Sequence, residues 1–77
     1  MNKITKEQLL SMSNEQIKEL TLGKTIQIIM DNENAIILID SILSTPYASD
    51  INHSFVGFIS SEGKTFYLQT IKTIIVM

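Results

Sequence analysis

Two hydrophobic periods divide this chain. Over the first twenty-odd residues, apolar positions recur at helical spacing: Leu9, Leu10, Met12, Ile17, Leu20 and Leu22. Two capping boxes punctuate them. Thr5-Lys6-Glu7-Gln8 and Ser13-Asn14-Glu15-Gln16 each set a hydroxyl three residues before a Gln that can bond back to the cap. Two such starts favour two short helices, about 6–11 and 14–21, over one long one. The six apolar side chains would then share one buried face, and Gly23 would stop the second helix with a positive φ.

After Gly23 the period falls to two. Thr25 to Met30 alternates, with Ile26, Ile28 and Met30 on one face. Asp31-Asn32-Glu33-Asn34 reads as a hairpin turn before a second run, Ala35 to Leu43, which is apolar on both sides and is expected to be a central, well-covered strand. A third strand is expected at Ser54–Ile59. The turn Ser60-Ser61-Glu62-Gly63 leads to a fourth at Thr65–Gln69, and Thr73–Met77 makes a fifth. That last strand carries Ile74-Ile75-Val76-Met77 and must be covered, by closing a barrel or by pairing with another protomer. The expected architecture is α+β, mainly β. A helical segment at 5–22 precedes a five-stranded antiparallel bent sheet or small barrel at 24–77, all in one domain spanning 1–77.

Composition sharpens this picture. Seventy-seven residues give a modest core, and with no Cys there is no disulfide to reinforce it. Isoleucine supplies 14 residues, which suits strands. Its abundance, together with Lys and Asn and the lack of Arg, suggests an AT-rich coding genome, hence a low-GC bacterium or its phage. The small core and the apolar last strand favour a homo-oligomer. No stretch approaches the length of a membrane span and no signal peptide is evident, so a cytoplasmic protein that does not engage membranes is expected.

The net charge is −2 and the six lysines are scattered, whereas a nucleic-acid binder needs a basic face. Charge therefore disfavours RNA as a partner. No residue set has metal-ligand spacing, no phosphate-binding loop is present, and no cofactor is implied. Asp50 and His53 stand three apart near several hydroxyls, but a catalytic triad is a matter of geometry, and a solvated loop histidine explains them better. Among the aromatics, Phe55 and Phe58 fall on opposite sides of one strand by their spacing, as do Phe66 and Tyr67.

The ten-residue stretch Ser44–Ser54 holds the only Pro, the only His and Tyr47. A loop that long in so small a domain is a candidate binding surface, with Tyr47, Asp50 and His53 as its contact residues. The resulting expectation is a non-enzymatic protein-binding module, such as a small bacterial regulator or a phage-encoded inhibitor of a host protein.

Leu22-Gly23-Lys24-Thr25-Ile26-Gln27-Ile28 resembles the opening strand of Sm-like domains, and Leu68-Gln69-Thr70-Ile71-Lys72-Thr73-Ile74 is similar to the bend between their last two strands. The resemblance implies a small SH3-like or Sm-like barrel. It also implies the alternative function, an oligomeric ring that binds single-stranded RNA. The family's Gly on the inner strand is missing from Ile36-Ile37-Leu38-Ile39, and Gln69-Thr70 stands where the family has Arg-Gly.

Overall fold

In a computed structural model, residues 2–77 are described. The chain runs β1 (Asn2–Thr5), α1 (Lys6–Ser11), α2 (Asn14–Thr21), β2 (Thr25–Met30), β3 (Asn34–Ser44), β4 (Phe55–Ser60), β5 (Thr65–Tyr67) and β6 (Ile71–Val76). Single 3-10 turns occupy Ile51–His53 and Leu68–Thr70.

Both helices begin as their sequences dictate. Thr5 and Ser13 each accept from the backbone N–H of the Gln three residues on, and that Gln side chain accepts from the cap's own N–H. Each box satisfies two backbone donors that a helix start leaves open. The shared buried face is only partly as expected. Leu9 and Ile17 are buried and Met12 and Leu20 pack against the core, but Leu10 and Leu22 are exposed. Gly23 and Gly63 have φ of 73° and 86°, the left-handed region in which a Cβ is costly.

The strands form one open antiparallel sheet in the order β1-β6-β2-β3-β4-β5. There are six strands, not five, and the sheet is not closed. The additional strand is β1, whose four residues are too few to show a period. It pairs with β6 from Asn2↔Val76 to Thr5↔Thr73, while β2 takes the other edge of β6. The apolar last strand is therefore covered from within the chain, by its own first residues.

β3 turns the corner of the fold. Asn34–Leu38 pair with β2, and Ile39–Ser44 pair with β4. Between the two halves Asp40 is an extra residue, because Ile39 faces Ser60 and Ser41 faces Ile59. A bulge of this kind bends a strand and reverses which alternate residues face inward. Ala35, Ile37 and Ile39 thus point inward before it, and Ile42 after it. Outward positions Ile36 and Leu38 are 64% and 45% exposed, so the first half of β3 is not the well-covered strand expected from its composition.

A second bulge changes the aromatic arrangement. Gly57 faces Leu43 and Phe55 faces Ser44, leaving Val56 as the extra residue. Phe55 and Phe58 therefore share the core side, with ring centroids 4.9 Å apart in an edge-to-face pair. Phe66 is buried and Tyr67 exposed, as alternation requires. The core joins these rings to Ile26, Ile28, Ile39, Ile71 and Ile74, with Leu9 and Ile17 as its helical lid.

Candidate functional site

The β3–β4 connection is ordered by a chain of local bonds. Thr45 N–H donates to the carbonyl of Ser54 at 2.9 Å and closes the base of the loop. Tyr47 N–H donates to Thr45 Oγ1. Asp50 caps the following 3-10 turn, its Oδ1 accepting from Asn52 N–H at 2.9 Å. Its other oxygen lies 2.8 Å from His53 Nδ1, which donates either as the charged ring or as the Nδ1-protonated tautomer.

The loop is also anchored to the first residue of α2. Asn14 Nδ2 donates to the carbonyl of Ile51 at 3.2 Å and to Ser54 Oγ at 2.8 Å. Ser54 is itself buried and donates to the same Ile51 carbonyl. These bonds fix the backbone without covering the apolar side chains that it carries. Tyr47 is 93% exposed and Ile51 70%.

Of the three residues singled out in the sequence, the structure pairs Asp50 with His53, whereas Tyr47 bonds through its N–H to Thr45 and holds its side chain in solvent. Asp50 is held below its ordinary carboxylate range by the hydrogen bond from His53, with the Asn52 amide adding to the effect. Both partners of the pair are substantially exposed, so its contribution is screened by water. Ile51 and Asn14 were not legible as site residues. Nothing local distinguishes an isoleucine that stays in water, and Asn14 comes to the loop only through a bond across 37 positions.

Elsewhere on the surface, a cleft of about 320 Å³ lies between the start of α1 and the β5 end, lined by Lys6, Phe55, Val56, Tyr67, Leu68 and Gln69. Among the described residues, no three His, Asp or Glu side chains gather as a metal site would need, and no helix is long and apolar enough to cross a membrane. Compared with known proteins, the chain matches no family model, no curated protein and no solved structure.

Proposed function

We propose that this chain is a non-enzymatic protein-binding module that docks through the Tyr47 loop. The observation that carries the reading is an almost fully exposed tyrosine, with the exposed Ile51 in the same loop, on a backbone braced by Asn14 and by the Asp50–His53 pair. A pre-ordered loop loses little entropy on binding, and aromatic side chains are efficient anchors. Asp50 and His53 supply polar contacts at the rim. The composition suits a cytoplasmic regulator of a low-GC bacterium, or a phage-encoded inhibitor of one of its proteins.

Tagged protein incubated with a low-GC bacterial lysate, with and without nuclease, tests this. The expected outcome is a defined protein that stays bound after nuclease and is lost with Tyr47→Ala. The loss should be on the order of 2 kcal/mol or more of binding energy, as for an aromatic anchor. Tyr47 is almost fully exposed, so the variant should melt like the parent. Retention unchanged by Tyr47→Ala would sink the reading.

One observation favours the Sm-like alternative. The 3-10 turn Leu68–Thr70 separates β5 from β6 where the resemblance expects a bend. In the same lysate experiment this reading requires retained RNA that is released by nuclease and by added salt.

A further inference from the structure

Strand register gathers a second surface, remote from the Tyr47 loop, on the outer face of β1, β6, β2 and the first half of β3. Lys3, Ile75, Gln27 and Ile36 stand side by side across the four strands. In the next outward row Leu38 faces Thr25, whose carbonyl accepts from Met77 N–H. Ile36, Leu38 and Met77 are exposed at 64%, 45% and 56%, and Ile75 is half-buried. Charge marks two opposite corners. Lys3 lies on the edge strand, and Asp40 continues the outward series at the β3 bulge. Both are exposed, and neither has an ion partner among the described residues.

The geometry points to a second copy of this chain as the occupant of this face. An isologous interface must be self-complementary, so a face with Lys3 and Asp40 at exchangeable corners, and Glu62 and Lys64 of opposite sign beside Ile36 and Leu38, suits a twofold. Strands about 4.8 Å apart with a rise of about 3.3 Å per residue put Lys3 roughly 14 Å from Ile36 across the sheet, and Asp40 about 13 Å from Ile36 along it. A twofold lying in the plane of the interface and exchanging Lys3 with Asp40 then passes close to Ile36. It sets Ile36 against its own copy and Leu38 over Gln27 and Ile75 of the other protomer. Strands of the two copies cross near 90°, which is the orthogonal class of sheet packing. A foreign partner would not require this match of corners with itself.

Sedimentation of the intact chain over a wide concentration range tests the proposal. A monomer–dimer equilibrium is expected. Ile36→Glu, at a position already in water, should weaken it about tenfold or more while leaving the melting curve of the dilute, monomeric chain unchanged. Lys3→Glu and Asp40→Lys should each weaken it about two- to fivefold, and the double variant should restore it. Tyr47→Ala should leave the dimer intact, which separates this face from the loop. A chain that stays monomeric at millimolar concentration overturns the proposal. So does a dimer indifferent to Ile36→Glu, or one that the double charge exchange fails to restore.

Discussion

Asp50 ties the pH response of the β3–β4 loop to one carboxylate. Its pKa lies below the ordinary value of 3.8 because His53 and the Asn52 amide bond to the ionised form. A depressed native pKa contributes order that is fully present above the ordinary value and is lost as pH falls through the native one. Amide exchange at Asn52 and His53 should therefore rise relative to the strands as pH drops into that acid range. Asp50→Ala, which removes the acceptor altogether, should show the faster exchange at every pH and no such transition. Gly57 makes the opposite kind of point, about space. A Cβ there would stand 2.6 Å from the Phe66 carbonyl oxygen and 3.2 Å from Tyr67 Cα, both backbone atoms of the neighbouring strand. Gly57→Ala should cost about 1–3 kcal/mol, read as a lower urea midpoint with an unchanged slope.

At the scale of elements, Asn14 does two jobs. It opens α2 and pins the β3–β4 loop to it through Ile51 and Ser54. Asn14→Ala should lower stability by about 1 kcal/mol in urea unfolding and speed amide exchange across 45–54 while leaving the strands protected. The elements themselves were readable where local chemistry decides them. Both capping boxes, the Gly23 and Gly63 turns and the alternation in β2 predicted structure close to that observed. What could not be read depends on partners distant in sequence. β1 is a strand only because β6 offers it an edge. The bulges at Asp40 and Val56 reverse alternation and so decide that Ile36 and Leu38 face out and that Phe55 joins Phe58 inside. The loop's position was legible from its composition, since the stretch gathers Pro46, Tyr47, Asp50 and His53, and Pro46 and Asp50 break the strand pattern. Its anchoring to α2 was not, because that comes from Asn14.

Across the whole molecule, the two surfaces sit on opposite halves of β3. Tyr47 follows its second half, which pairs with β4, and the Ile36–Leu38 face belongs to its first half, which pairs with β2. A dimer formed through the sheet face would leave both loops free, so each assembly would present two copies of the exposed Tyr47. If a partner is itself multivalent, such pairing raises avidity without any new contact. Tyr47→Ala and Ile36→Glu then act on separate quantities, the first on intrinsic affinity and the second on how many sites bind together.

The β1–β6 ladder has a mechanical consequence. Asn2 lies opposite Val76, so the two ends of the described chain leave from the same end of one antiparallel pair. A load applied between them pulls across the ladder, not along it. The four register pairs would then open in turn from Asn2 to Thr5, each bearing the force alone, where a sheared pair would share it. The domain should therefore yield at its first strand under small forces, peeling β1 away and baring the edge of β6 before the core around Phe58 is disturbed.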